Sequence, residues 1–93
     1  MKTEKAIVTV FGEVQGVGFR FTTRALSQKH AVKGWVRNQP DGSVRIEAEG
    51  GSEALDRFFL AVKTSRLGPG ITRWEETRGP PTDMAEGFDV RFF

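Results

Sequence analysis

Residues 12–20 have the sequence Gly12-Glu13-Val14-Gln15-Gly16-Val17-Gly18-Phe19-Arg20. This glycine loop follows an apolar run, Ala6–Phe11, that predicts a strand, and it precedes a predicted helix, Phe21–His30. Its glycines permit a tight turn and let main-chain N–H groups approach a ligand closely. The loop ends on Arg20, whose planar guanidinium suits two-point contact with a phosphate or a carboxylate. The stretch therefore predicts an anion-binding turn between a strand and a helix.

The glycine loop lacks a nucleophilic cysteine. Phosphatases that attack phosphorus with a cysteine carry it six residues before the arginine of the loop, and this chain has Val14 at that position. The whole sequence contains no cysteine, which also excludes disulfides and thiolate metal sites. If the loop supports phosphoryl chemistry, water is the simplest attacking group.

A second motif follows, and its sequence is Gly34-Trp35-Val36-Arg37-Asn38-Gln39-Pro40-Asp41-Gly42-Ser43-Val44-Arg45-Ile46-Glu47-Ala48-Glu49-Gly50. Its apolar positions predict a hairpin with arms at Val32–Gln39 and Ser43–Glu49, joined by a Pro-Asp-Gly turn. Asn38 lies near the end of the first arm. An asparagine in this place commonly forms a turn, but its carboxamide could also hold a water molecule.

The two motifs together resemble the acylphosphatase family. The glycine loop matches the family signature G-x-V-Q-G-V-x-F-R, residues 34–44 match G-W-V-x-N-x-x-D-G-x-V, and residues 87–92 are similar to its closing strand. The similarity extends from about Ala6 to Phe92. It implies an enzyme that hydrolyses the carboxyl–phosphate bond of small acylphosphates to a carboxylate and inorganic phosphate, without a metal or another cofactor.

The resemblance also implies roles for individual residues. Arg20 and Asn38 would be the catalytic pair. The phosphoryl group would be held by the backbone of Gln15, Gly16, Val17, Gly18 and Phe19. The only histidine, His30, is predicted at the far end of the first helix, some ~15 Å from Arg20, so a structural role is expected for it. The predicted helix ends at His30-Ala31, where the family often carries glycine. Because neither residue is a glycine, the sequence does not predict the left-handed conformation that usually ends such a helix.

The remaining segments complete an α+β fold. A second helix is predicted at Ser52–Thr64 with Ser52 as its N-cap, followed by strands at Ile71–Arg78 and Phe88–Phe93. The order predicts a ferredoxin-like βαββαβ sandwich, an antiparallel sheet with two helices on one face, plus a short C-terminal strand. A right-handed crossover makes the first two strands parallel, which would bring Arg20 and Asn38 to one edge of the sheet.

Length and charge predict one small domain at residues 1–93. Fourteen Lys and Arg against twelve Asp and Glu give a net charge of +2, which fits an anionic ligand and does not demand nucleic acid. The amino-terminal residues lack the apolar core of a signal peptide, and no apolar run reaches the length of a membrane span. We expect a cytoplasmic monomer that acts on a small-molecule acylphosphate, with phosphate as product or inhibitor, and without nucleic acid or membrane partners.

Two other function classes share parts of this pattern. RNA-recognition domains use the same βαββαβ plan, but this chain lacks their R-G-F-G-F-V-x-F strand motif. A binding or regulatory domain that handles carbamoyl phosphate without turnover, as part of a larger maturation protein, would carry the same glycine loop. The absence of cysteine-rich zinc modules favours a stand-alone enzyme, and the presence of both Arg20 and Asn38 argues against a third class, an inactive member of the family.

Overall fold

A computed structural model describes residues 2–92. Its elements are β1 (Thr3–Gly12), α1 (Phe19–Lys29), β2 (Lys33–Asn38), β3 (Val44–Gly51), α2 (Ser52–Thr64), β4 (Ile71–Gly79) and β5 (Phe88–Arg91). A short 3-10 helix at Gly68–Gly70 precedes β4. This order confirms the predicted βαββαβ fold with an additional short strand.

The sheet has the strand order β4-β1-β3-β2-β5. β3 pairs antiparallel with both β1 and β2, so β1 and β2 are parallel and their carboxyl ends lie at one edge, as predicted. β4 pairs antiparallel with β1, whereas β5 pairs parallel with β2. Strands β1–β4 thus form the predicted antiparallel sheet, and the additional strand β5 pairs parallel, which makes the whole sheet mixed. The reason is that residues 80–87 carry the chain from one edge strand to the other.

The two helices cover one face of this sheet and leave the other face open. Alternate residues of the central strands point to the helices, and Val8, Val10 and Ile46 among them are fully buried. From α2, the stripe that packs on these residues includes Leu55 and Phe58. The core therefore lies between the helices and the sheet, and the edge at which β1 and β2 end is free to form a site.

The helix starts differ from the predictions. α1 begins at Phe19, two residues early, because Gly18 takes a left-handed conformation (φ 78°) and turns the chain directly into the helix. The predicted N-cap role of Ser52 is wrong: Gly51 is the N-cap, and the Ser52 N–H donates to the carbonyl of Lys2 at 3.0 Å. At the other end of the chain, β5 closes at Arg91, and Phe93 of the predicted last strand lies outside the described residues.

The connection to β5 is held by one buried carboxylate. Glu49 accepts hydrogen bonds from the N–H and the hydroxyl of Thr82, at 2.6 and 2.8 Å, and from the N–H of Met84 at 3.0 Å. Burial alone would raise the pKa of Glu49, but these hydrogen bonds outweigh it and hold the pKa below its usual value. These contacts hold the segment before β5 in place, and β5 pairs with β2. They therefore also help to position Arg91 and Phe92 at the end of β5.

Candidate active site

The glycine loop is fastened at its two ends and exposed between them. Val14 and Phe19 are buried in the core, whereas the intervening Gly16, Val17 and Gly18 are exposed. Gly16 and Gly18 have φ angles of 76° and 78°, a region in which side chains with a Cβ are strained. The loop thus presents its backbone to solvent between two apolar anchors.

The N–H groups of this loop are without partners in the described part of the protein. Among residues 2–92, the amides of residues 15–19 donate no hydrogen bond to the backbone or to a side chain. Two of these residues are Gly18, the N-cap of α1, and Phe19, its first residue, and no side chain caps the helix. Because unpaired N–H groups at a helix N-terminus attract anions, the loop offers a set of donors for a phosphoryl group.

The side chain of Gln15 ties the glycine loop to the hairpin. Its Nε2 donates to the carbonyl of Gln39 at 2.8 Å and to the carbonyl of Ser43 at 2.9 Å. These two carbonyls flank the turn that follows Asn38. The hydrogen bonds therefore set the distance between the loop and the end of β2.

The turn itself is stabilised by Asp41. Its carboxylate accepts hydrogen bonds from the N–H of Ser43 at 2.9 Å and from the Ser43 hydroxyl at 2.5 Å. These bonds lower the pKa of Asp41, the hydroxyl having the larger effect. A carboxylate occupied in this way is a turn former, which agrees with the chemistry of the Pro-Asp-Gly sequence.

Asn38 is the last residue of β2 and lies at the mouth of a cleft. It pairs with Val44 on the helix-facing side of the sheet, and its side chain is partly exposed. Among residues 2–92, its carboxamide makes no hydrogen bond, so both its donor and its acceptor remain available. The cleft has a volume of about 470 Å³ and is lined by Arg37, Asn38, Gln39, Pro40 and Phe92.

Arg20 lies in the first turn of α1 and is held by the end of β5. Its Nη1 donates to the carbonyl of Arg91 at 3.1 Å, and its guanidinium carbon lies 4.6 Å from the centre of the Phe92 ring. The other guanidinium nitrogens bind no group within residues 2–92. Phe92 also lines the cleft together with Asn38. It therefore links Arg20 and Asn38, the two residues predicted to be the catalytic pair.

Sequence reasoning missed a second arginine at the glycine loop. Arg66, in the turn after α2, donates from Nη1 to the carbonyl of Val17 at 3.1 Å and from Nη2 to the hydroxyl of Thr22 at 3.1 Å. It therefore holds the loop to α1 from outside. No motif marks this residue, because the contact joins segments about fifty positions apart. His30, in contrast, lies at the opposite end of α1 and outside the lining of the cleft.

Comparison with known proteins identifies the same fold and sequence pattern. The family model for acylphosphatase matches residues 6–90. The acylphosphatase of Salinibacter ruber is 44% identical, over 96% of this chain and 95% of its own length. The crystal structure of acylphosphatase from Bacillus subtilis superposes with a TM-score of 0.88 at 34% identity and covers 96% of this chain and 99% of that one.

A larger protein contains a similar unit. Full-length HypF in its phosphate- and nucleotide-bound form has a TM-score of 0.85 and 26% identity, but the match covers 97% of this chain and only 12% of that one. The relatives of similar length carry the name acylphosphatase, so a binding or regulatory domain is not favoured. These findings show that the chain belongs to the acylphosphatase family, enzymes that hydrolyse small acylphosphates.

Proposed function

We propose that this enzyme binds the phosphoryl group of its substrate on the N–H groups of residues 15–19 and on Arg20, and that Asn38 positions the attacking water. The observation that carries the proposal is the set of unpaired loop amides, fastened by Gln15 to the hairpin that presents Asn38. Positively polarised N–H groups and a guanidinium stabilise the charge that the equatorial phosphoryl oxygens carry in the transition state.

Arg20 has the geometry for two-point contact. One of its nitrogens is held by the Arg91 carbonyl and its plane is packed on Phe92, so the guanidinium is oriented before substrate arrives. The nitrogens without a protein partner can then donate to two phosphoryl oxygens. Such preorganisation lowers the cost of assembling the transition state.

Asn38 has the chemistry for holding water. Its carboxamide oxygen can accept a hydrogen bond from the attacking water and so orient that water toward phosphorus. The water oxygen attacks phosphorus, the bond between phosphorus and the acyl oxygen breaks, and the electron pair leaves on the carboxylate, while the protons of the water stay with the inorganic phosphate product. Because a carboxylate has a pKa near ~4 to 5, its departure needs little acid catalysis. Positioning of the water and the phosphoryl group can therefore supply much of the rate enhancement.

We propose in addition that catalysis requires no metal or other cofactor and that the enzyme acts as a cytoplasmic monomer on free small molecules. The residues that line the cleft contribute no carboxylate, and cations and amides neutralise charge without a metal. Base stacking on the open sheet face is disfavoured, because Trp35 is only 7% exposed and lies under the guanidinium groups of Arg37 and Arg91. No helix within residues 2–92 has the length and hydropathy of a membrane span.

Hydrolysis of benzoyl phosphate by the purified protein, with and without a chelator, tests this proposal. We expect release of phosphate well above the spontaneous rate, unchanged by the chelator and inhibited competitively by inorganic phosphate. Loss of activity on chelation would contradict the metal-free mechanism. Tight binding of single-stranded RNA without hydrolysis would favour the alternative class.

A further inference from the structure

Three arginines form a row across the open face of the sheet. Arg37 of β2 lies directly opposite Arg45 of β3 on one side and Arg91 of β5 on the other. Like charges directly opposite each other on neighbouring strands are destabilising. The row therefore has an electrostatic cost that the fold itself does not explain.

Among the described residues, only one member of this row is neutralised by an acid. Arg45 forms an ion pair with Glu47 at 2.7 Å. Within residues 2–92, Arg37 and Arg91 have no carboxylate within 4.0 Å. Glu47 and Asp89 lie one pair along the register, where both are opposite Trp35, and Glu47 is already bound by Lys5 and Arg45. Two positive charges at this end of the sheet are thus without an acidic partner in the part of the chain that the structure describes.

Both of these arginines are held in place by Trp35. Their guanidinium carbons lie 5.1 Å (Arg37) and 4.7 Å (Arg91) from the centre of the Trp35 ring, and Trp35 itself is buried. Stacking on a fixed ring restricts a side chain that would otherwise be mobile. Arg37 also lines the cleft, together with Asn38, Pro40 and Phe92. An oriented cation and two apolar side chains therefore share one cleft with Asn38.

We infer that this cleft receives the acyl group of the substrate and that Arg37, reinforced by Arg91, selects acyl groups carrying a second negative charge, such as a carboxylate. The inference rests on the proposed function, which places the phosphoryl group on the glycine loop. Pro40 and Phe92 would contact the carbon skeleton, and the guanidinium of Arg37 would bind the distal anion. The preferred substrates are then acylphosphates derived from dicarboxylic acids.

The charge of the acyl group can be tested apart from its size. 4-Carboxybenzoyl phosphate and 4-carbamoylbenzoyl phosphate have almost the same shape and differ by one negative charge. We define the charge preference as kcat/KM for the first substrate divided by kcat/KM for the second. Comparing this preference between variants cancels the intrinsic reactivities of the two substrates.

We expect Arg37→Gln to lower the charge preference by roughly three- to fivefold, the size of a partly exposed ion pair. The loss should appear mainly as a higher KM for the carboxylated substrate, because the contact is present in the ground state as well as the transition state. Arg37→Lys should retain most of the preference.

The matched control is Arg73→Gln, which removes one positive charge from the open face on β4, at the other edge of the sheet. It should leave the preference unchanged, and salt should weaken the preference of the unmodified enzyme.

Three outcomes separate the possibilities. An equal fall for both substrates in Arg37→Gln would overturn the inference, because Arg37 would then act on the shared phosphoryl group. Unchanged kcat/KM values for both substrates in Arg37→Gln would overturn it as well, by excluding contact with the acyl anion. If the unmodified protein hydrolyses neither substrate, the proposed function itself fails. This result differs from the other two, in which the unmodified protein is active.

Discussion

Gln15 and Gln39 join the two motifs of the site through one hydrogen bond, from the Gln15 side-chain amide to the Gln39 carbonyl at 2.8 Å. The same amide reaches the carbonyl of Ser43 at 2.9 Å, so it bridges both sides of the turn. The glycine loop and the strand end with Asn38 are therefore joined by a single side chain.

Removing the bridge should damage activity more than stability. In Gln15→Ala, two carbonyls lose their donor, and we expect a loss of about 1–2 kcal/mol in the free energy of unfolding. We expect kcat/KM to fall by about ten- to a hundredfold, because a small displacement of the loop misaligns the reacting groups. The matched control is Gln28→Ala on the exposed surface of α1, which should change neither quantity. Normal kcat/KM in a destabilised Gln15→Ala protein would show that the bridge serves folding alone.

Arg20→Lys tests the two-point contact. Lysine keeps the charge but lacks the planar fork, and it cannot reproduce both the hydrogen bond to Arg91 and the donors to phosphate. We expect kcat/KM to fall by about 10²–10³, with a marked loss of competitive inhibition by phosphate. Arg24→Lys, one turn further along α1 and exposed, is the control and should behave like the unmodified enzyme. Near-normal kinetics in folded Arg20→Lys would remove this residue from the mechanism.

Asn38→Ala separates water positioning from phosphate binding. Loss of an oriented polar group should lower kcat by about 10²–10³, while the inhibition constant of phosphate stays close to normal because the loop amides and Arg20 are untouched. Both constants come from steady-state kinetics on one acylphosphate. A parallel loss of phosphate affinity would identify Asn38 as a phosphate ligand or as a residue that only shapes the turn.

Ala31→Gly should stabilise the protein. α1 leaves through Ala31, which has a φ of 55°, a left-handed conformation that costs an alanine about 1 kcal/mol. Glycine relieves this strain, so we expect a higher urea midpoint, partly offset by the greater entropy of the unfolded chain. Ala25→Gly in the middle of α1 is the control and should instead destabilise by about 1 kcal/mol. Equal destabilisation in both variants would show that Ala31 is not strained.

Local patterns predicted the elements and the composition of the site. The apolar run Ala6–Phe11 predicted the first strand, and the Pro-Asp-Gly turn predicted the hairpin. The βαβ crossover then predicted the parallel alignment of β1 and β2, which the sheet confirms. These features depend on neighbours in sequence or on general rules of chain topology, so they can be obtained without coordinates.

The contacts that orient the site depend on residues distant in sequence. Arg91 and Phe92, which contact Arg20, lie about seventy positions after it in the sequence. Their contacts with Arg20 form only because β5 lies beside β2 in parallel. The buried carboxylate of Glu49, which fastens the segment before β5, looks from sequence like one more charged residue of a strand. Hydrogen-bond partners of this kind follow from tertiary packing and leave no periodic signal.

Titration of the unmodified protein with inorganic phosphate, followed through its backbone amide resonances, tests the central claim most directly. If the glycine loop binds the phosphoryl group, the amide signals of Gly16, Val17 and Gly18 should shift most, with saturation at the phosphate concentration that inhibits hydrolysis. Gly16→Val should abolish these shifts, because φ is 76° at that position, although the space around a Cβ is open. Shifts confined to the exposed basic surface of α1 around Arg24 and Lys29 would contradict the claim, since the loop would then be only a turn.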